Sequence, residues 1–182
     1  MALSNQDSFV LITGRYKVRL FSYIKRLTNI RDEDAEDLLQ DIFLKVYLNL
    51  NNFNRKMKFS SWIYAIARNQ VFSHHRKVSV RPEGHADVLD ENISRQLITD
   101  INAIDIIDRE ISRQKISQAI FRLKSKYREV IFLRFFEEKS YQEISDIIRK
   151  PVGTVGSMLD RAKKELRDNF LKLKKYDKRK RI

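Results

Sequence analysis

The chain has 182 residues, of which 37 are Lys or Arg and 24 are Asp or Glu, so its net charge at pH 7 is +13. A basic excess of this size on a small chain favours a polyanionic partner, nucleic acid before an anionic membrane surface. The lack of cysteine excludes disulfides and thiolate metal sites, and because neither a signal peptide nor an apolar run of ~20 residues is evident, we expect a soluble, cytoplasmic protein.

Three helices are predicted in the first part of the chain. Apolar residues recur at spacings of three and four over residues 8–28, 32–50 and 59–77. Strand-like alternation is not convincing anywhere in the sequence. These segments predict a small helical domain over residues 1–77.

Acidic residues cluster near the start of the second predicted helix. Asp34, Asp37 and Asp41 share one helical face, next to Glu36 and Gln40. Such a cluster suggests a metal site, but no second group of ligands lies close in sequence. Acids in a first turn also suit the helix dipole. From the residues alone, a solvated face and a metal site both stay open.

Aromatic rings and cations alternate from the loop at residues 51–58 into the third helix. This mixture suits single-stranded DNA, because bases stack on rings while cations hold the backbone. Trp62 shares helical spacing with Ile63 and Ile66, which favours a core position for Trp62 and leaves Tyr64 and Phe72 as the rings expected to be exposed. The residues of this mixture are Arg55, Lys56, Lys58, Phe59, Trp62, Tyr64, Arg68, Phe72, Arg76 and Lys77.

Two adjacent histidines, His74 and His75, follow on the same helix. Neighbouring residues on a helix point in different directions, and the chain has no thiol to complete a metal site. We therefore favour contact with DNA at a basic surface over metal binding.

The middle of the chain is acidic. Residues 78–105 carry six acids against Arg81 and Arg95, a net charge of −4 within a chain of +13. Pro82 and Gly84 interrupt the helical pattern here. Residues 78–106 are therefore predicted to form an acidic linker between two basic helical domains, of which residues 107–182 form the second.

The second domain is predicted to contain a helix-turn-helix. It begins with a helix over residues 106–123 and a buried helix over residues 127–138. Ser140 and Glu143 then fit a capping box, which starts a short helix. Pro151 ends that helix, because proline cannot continue the helical hydrogen-bond ladder.

The second helix of this motif has an apolar face and a small, basic outer face. The apolar positions are Val152, Val155, Leu159, Ala162, Leu166 and Phe170. The outward positions are Gly153, Thr154, Ser157, Asp160, Arg161 and Lys164. This arrangement is typical of a helix that enters the major groove, although a helical hairpin with a solvated basic side would share it. Arg128, Arg134, Lys139 and the tail at residues 172–181 extend the positive charge.

Two groups of residues in this order resemble bacterial sigma factors. DAEDLLQDIFLKVY and FSSWIYAIARNQVFSHHRK resemble sigma region 2, and the stretch from YREVIFLRFFEE to DRAKKEL resembles sigma region 4. The group that is most similar is the extracytoplasmic-function (ECF) group, with two helical domains and a short linker. The resemblance implies a subunit that binds the beta and beta' subunits of core RNA polymerase, reads and melts promoter DNA, and is neither an enzyme nor dependent on a cofactor. It also implies an anti-sigma partner, often membrane-bound in this group.

The resemblance also implies roles for particular residues. The residues implied to contact the polymerase are Asp34, Glu36, Asp37, Gln40 and Asp41. Recognition and melting of the minus-10 element, with a pocket for an extruded base in the loop, fall on Asn51, Asn52, Asn54, Arg55, Lys56, Lys58, Tyr64, Arg68, Phe72, His75 and Arg76. Recognition of the minus-35 element falls on Arg128, Arg134, Lys139, Thr154, Ser157, Arg161 and Lys164.

One segment departs from the family pattern. Gly156 and Met158 stand where many members carry Lys and Arg, which removes two cationic contacts, while Arg161 still matches. The resemblance also implies that the acidic linker passes through a cationic channel of the polymerase, and a disordered tether is the alternative.

Two further functions stay open from the sequence: a stand-alone helix-turn-helix regulator, and a DNA-processing enzyme that uses Asp34, Asp37 and Asp41.

Overall fold

The computed structural model describes residues 5–28, 30–77, 91–100 and 109–180, and side-chain surroundings for residues 9–28, 30–74, 92–100 and 114–173. All regular structure in these ranges is helical, which confirms the predicted all-α class. The chain divides into two compact units, Met1–Glu83 with Asp146–Arg149 and Gly84–Ser145 with Lys150–Ile182.

The first unit is built on three helices, α1 (Asn5–Thr28), α2 (Asp32–Asn49) and α3 (Phe59–Lys77). Each helix packs on the other two, because each has an apolar face. The predicted bounds agree closely, except that α2 gives way to a 3-10 turn at Leu50–Asn52. Fully buried residues of this core are Leu20, Tyr23, Ile24, Ala35, Ile42, Val46, Ile63, Tyr64 and Ala67.

The second unit contains α4 (Glu91–Asp100), α5 (Arg109–Phe121), α6 (Ser125–Ile131) and α8 (Val152–Lys180). It also contains the first part of α7 (Tyr141–Ile148), whose last residues group with the first unit. A π-helical turn, Phe132–Phe136, continues α6. The burial predicted for residues 127–138 is confirmed in part, since every side chain from Tyr127 to Leu133 is buried, whereas Arg134 and Glu138 are exposed. Both α5 and α6 pack against α8.

Helix α8 has the predicted apolar face, apart from its first residue. Val155, Leu159, Ala162 and Leu166 are fully buried, whereas Val152 is 38% exposed. The prediction of Val152 as a core residue was wrong, because this residue opens the helix directly after the Pro151 turn and lies at the surface.

The segment predicted as a linker includes helix α4. Leu97 of α4 is fully buried, and α4 packs on α5 and on the π-helical turn. The Asp100 carboxylate forms an ion pair with Lys163 of α8, with 2.8 Å between Oδ2 and Nζ. Residues 91–100 of the acidic segment are therefore part of the second unit.

Candidate nucleic-acid and protein interfaces

One side of α2 is exposed and combines acidic and apolar residues. Asp37, Gln40, Asp41, Leu44 and Leu48 lie at i, i+3, i+4, i+7 and i+11, and all five are exposed. We call this surface the α2 face. The exposure predicted for its acidic half is confirmed, as is that of Glu36 beside it. The sequence interpretation missed the apolar half, although its spacing continues that of the acids.

Asp34 differs from the other acids because its charge is already paired. Arg31 donates from Nε to Asp34 Oδ2 at 3.0 Å and from Nη2 to Oδ1 at 3.1 Å. The hydrogen bond from Arg31 lowers the pKa of the Asp34 carboxyl and raises the pKa of the guanidinium. Asp34 is therefore the predicted docking residue that is least available to a partner.

The asparagine-rich loop before α3 is held in shape by one of its own side chains. Asn54 Oδ1 accepts a hydrogen bond from the backbone N–H of Lys56 at 2.9 Å, the geometry of an Asx-turn. Asn51 and Asn52, in the 3-10 turn, are exposed. All the loop residues predicted to contact DNA are exposed, namely Asn51, Asn52, Asn54, Arg55, Lys56 and Lys58.

An aromatic cluster anchors this loop to α3. The ring centroids of Phe53, Phe59 and Trp62 lie 5.3 Å apart in each pair. Tyr16 of α1 meets Phe59 edge to face at 5.9 Å. Trp62 is half-buried in this cluster, so its ring positions the loop and is not part of the fully buried core.

Tyr64 is not available for stacking, which corrects the sequence prediction. It is fully buried, and its ring meets Tyr23 of α1 edge to face at 5.3 Å. The buried face of α3 runs through Ile63, Tyr64, Ala67 and Val71. Helical spacing fits this set as well as the predicted one, so the sequence could not choose between them.

Phe72 and Arg68 remain accessible on α3. Both are half-buried, and the Arg68 guanidinium lies 4.7 Å from the centroid of the Phe72 ring, within the range of a cation–π contact. The side chains of His75 and Arg76, also predicted to contact DNA, lie outside the described residues.

The capping box that starts the helix-turn-helix is confirmed. The Ser140 N–H donates to Glu143 Oε2 at 2.9 Å, and the Glu143 N–H donates to Ser140 Oγ at 3.2 Å. Helix α7 ends at a turn in which Arg149 has φ 54°, a value that L residues adopt rarely. The turn is fixed by Ser145 Oγ, which donates to the Lys150 carbonyl at 2.6 Å.

The outer face of α8 is exposed as predicted. Gly153, Thr154, Ser157, Asp160, Arg161 and Lys164 are all exposed. Gly156, the departure from the family pattern, sits beside an aromatic ring, since a Cβ placed on it would lie 3.8 Å from Tyr141 Cε2. The Arg134 guanidinium lies 5.6 Å from the same Tyr141 ring. Arg134 is exposed and donates from Nη1 to the Lys139 carbonyl at 3.1 Å, so its contact with DNA stays a prediction.

Arg128 and Lys139 were wrongly predicted to contact DNA. Arg128 is buried and donates from Nη2 to the carbonyls of Phe121 and Leu123 at 2.9 and 3.2 Å. The Phe121 carbonyl ends α5, where helix geometry leaves acceptors unpaired, and the Leu123 carbonyl lies in the turn that follows. Burial lowers the pKa of Arg128. Lys139 is only 6% exposed.

The described part of the chain contains no group of three His, Cys, Asp or Glu residues placed to hold a metal ion. Within that same part, no helix combines the length and apolar character needed to cross a bilayer.

Comparison with protein families matches both halves of the chain. Residues 12–80 match the model for Sigma-70 region 2, and residues 113–166 match that for Sigma-70, region 4. The ECF RNA polymerase sigma factor SigW of Bacillus subtilis is 33% identical over 171 residues, which cover 90% of this chain and 89% of SigW. The ECF RNA polymerase sigma-E factor of Escherichia coli K12 is 31% identical over 166 residues, which cover 89% of this chain and 86% of the relative.

Solved structures share the fold. The sigma factor RpoE of Bartonella quintana, in complex with the anti-sigma factor NepR, aligns with a TM-score of 0.64 at 22% identity over 91% of this chain and 97% of that chain. CnrH, in complex with the cytosolic domain of CnrY, aligns with a TM-score of 0.63 at 21% identity over 90% of this chain and 87% of that chain. The family matches and the relatives show that this chain belongs to the ECF group of the sigma-70 family, whose members direct RNA polymerase to promoters and initiate transcription.

Proposed function

We propose that this sigma factor docks on core RNA polymerase through the α2 face, and holds the promoter with the loop and α3 at minus-10 and with α8 at minus-35. The observation that carries this proposal is an exposed acidic and apolar face on a chain whose net charge is +13. DNA repels such a face, whereas a protein partner can bury Leu44 and Leu48 and pair Asp37 and Asp41. Binding to DNA alone, as by a stand-alone regulator, does not account for this face.

The roles of the two units follow from what each exposes. The first unit exposes amides and cations beside rings, a combination that suits unpaired DNA. The second unit exposes small residues at the start of α8 and cations further along, a combination that suits a duplex groove. Chemistry on nucleotides is left to the polymerase, so we assign no catalytic residue. Such a factor acts in the cytoplasm, where polymerase and promoter meet.

We infer an anti-sigma partner as well. The support comes from the two solved neighbours, of which one is bound to the anti-sigma factor NepR and the other to the cytosolic domain of CnrY.

Arg161 is expected to contribute directly to minus-35 binding. It is exposed on the outer face of α8, and its replacement by Ala should weaken duplex binding by roughly 1 to 3 kcal/mol if it contacts a base, with a smaller and sequence-independent loss if it holds only phosphate. Titration against matched and scrambled duplexes at two salt concentrations separates these cases. Arg167→Ala, at an exposed arginine six residues further along the same helix that was not predicted to contact DNA, is the matched control, and equal affinities for both variants would remove Arg161 from the interface.

Asn51 and Asn52 are expected to act in promoter melting. Replacing both by Ala should leave closed complexes near normal affinity, because α8 still holds the upstream duplex, while permanganate reactivity of minus-10 thymines falls. Asn54 is kept, since its side chain fixes the loop. A pre-melted bubble template should restore much of the lost transcription, because it removes the unpairing cost of a few kcal/mol. Unchanged thymine reactivity would leave the loop as an ordinary turn.

A further inference from the structure

One residue on the outer face of α8 has a charge that does not suit a DNA-binding surface. Asp160 is exposed on this face, between Ser157 and Arg161. The face is the one on which we propose that the minus-35 duplex lies, and DNA is a polyanion. Because like charges repel, the Asp160 carboxylate weakens binding to a duplex unless a base in the groove compensates for the repulsion.

No neighbouring side chain neutralises this carboxylate. Cations follow it along α8, yet within the described part of the chain Asp160 makes neither an ion pair nor a side-chain hydrogen bond. The Ser157 hydroxyl, one turn earlier, donates to the Gly153 carbonyl at 3.1 Å, so its proton is already used. The Asp160 carboxylate is therefore available to accept a hydrogen bond from a ligand.

Small residues leave room in front of the carboxylate. Side chains of a helix lean toward its N-terminus, over the residues three and four positions earlier. For Asp160 these are Ser157 and Gly156, and Gly156 stands where many family members carry a long cationic side chain. Gly153 lies one turn further back, and glycine allows the backbone to approach a ligand closely. The Asp160 carboxylate can therefore reach the edge of a base.

The chemistry of the major groove selects the base. Cytosine presents the N4 amino group, a donor, whereas guanine presents two acceptors, and thymine presents an acceptor and a methyl group. Adenine also presents an amino group, but its N7 acceptor lies beside that group and repels a carboxylate. Cytosine is therefore the base that an aspartate favours.

We propose that Asp160 is a specificity-determining residue, whose carboxylate accepts a hydrogen bond from the N4 amino group of one cytosine in the minus-35 element. This inference rests on the proposed function, in which α8 holds that element. It adds a base preference to a face that was described so far by its small residues and cations. The sequence interpretation placed Asp160 on this face and assigned it no contact with DNA.

Holoenzyme assembled from core polymerase and the full chain is used to select from promoter duplexes that are randomised over the minus-35 element. The wild-type chain should enrich cytosine about tenfold over the other bases at one position of one strand, within the usual range for a side chain that reads a base. Asp160→Ala should lose the preference at that position and keep the rest of the selected motif. Asp168→Ala, which removes another exposed carboxylate of α8, is the matched control and should keep the cytosine.

A modified cytosine tests the hydrogen bond itself. N4-methylcytosine still pairs with guanine but carries a methyl group in place of the N4 hydrogen that faces the major groove. At the selected position it should weaken binding by the wild-type holoenzyme about tenfold and leave binding by the Asp160→Ala holoenzyme nearly unchanged.

Three results would overturn the role of Asp160 and leave its carboxylate on a solvated face. They are a wild-type motif without the cytosine, a cytosine preference that Asp160→Ala retains or Asp168→Ala equally loses, and an equal response of the wild-type and Asp160→Ala chains to N4-methylcytosine. Failure of the wild-type chain to assemble with core polymerase, or to enrich any minus-35 sequence once assembled, would instead overturn the proposed function.

Discussion

Replacing Asp37 by Arg and Gln40 by Ala is expected to weaken assembly with core RNA polymerase by about thirtyfold or more. Both residues are exposed on the α2 face, which we propose as the centre of the interface, and truncation of a hot-spot residue there costs ~2 kcal/mol or more of binding free energy. The reversed charge adds repulsion from any cation that Asp37 meets. Competition between labelled wild-type chain and the unlabelled variant for core polymerase measures the change.

The fold should survive this double substitution, because the buried side of α2 is untouched. Circular dichroism of the variant should match that of the wild-type chain. Asp168→Arg, the same charge reversal at an exposed position of α8, controls for the change in net charge. Normal assembly by a folded Asp37→Arg, Gln40→Ala variant would refute docking through the α2 face.

Replacing Tyr64 by Ala is expected to lower the free energy of unfolding of the first unit by about 3 to 5 kcal/mol, the usual cost of removing a large buried ring. Tyr64 is fully buried and packs edge to face on Tyr23. Trp62, the single tryptophan of the chain, lies in the same unit, so urea denaturation followed by tryptophan fluorescence reports on this unit specifically.

Two further variants separate a core role for Tyr64 from a DNA-binding role. Tyr64→Phe keeps the ring and should retain most of the stability, while Phe72→Ala removes a ring that is only half-buried and should cost less than Tyr64→Ala. An exposed stacking residue would behave in the opposite way. If Tyr64→Ala unfolded at the wild-type urea concentration yet bound single-stranded DNA more weakly, the buried position described here would be wrong.

Much of the local structure could be predicted because it depends on neighbours in sequence. The capping box of Ser140 and Glu143 needs only two residues three positions apart. The end of α7 before Pro151 follows from the chemistry of proline. The outer face of α8 follows from the spacing of its apolar residues, since burying one side of a helix exposes the other.

Surface assignments based on charge were less certain, because a cation can serve DNA or the fold. Arg134 and Arg161 are exposed, whereas Arg128 reaches back to the carbonyls at the end of α5. The sequence pattern does not indicate this contact, because Arg128 and the two carbonyls are five and seven positions apart, on either side of a turn between helices. The partly negative end of a helix attracts a guanidinium as a phosphate does.

The sequence by itself determined the helical class, the helix-turn-helix, the acidic face of α2 and the family, because each depends on residue types at fixed spacings. Only the tertiary structure decided that Tyr64 is core and that Arg15 of α1 and Lys58 of the loop line one pocket. Two faces of α3 have helical spacing, and the choice between them depends on how α1 and α2 pack against it. The pocket joins residues more than forty positions apart, and only packing brings them together.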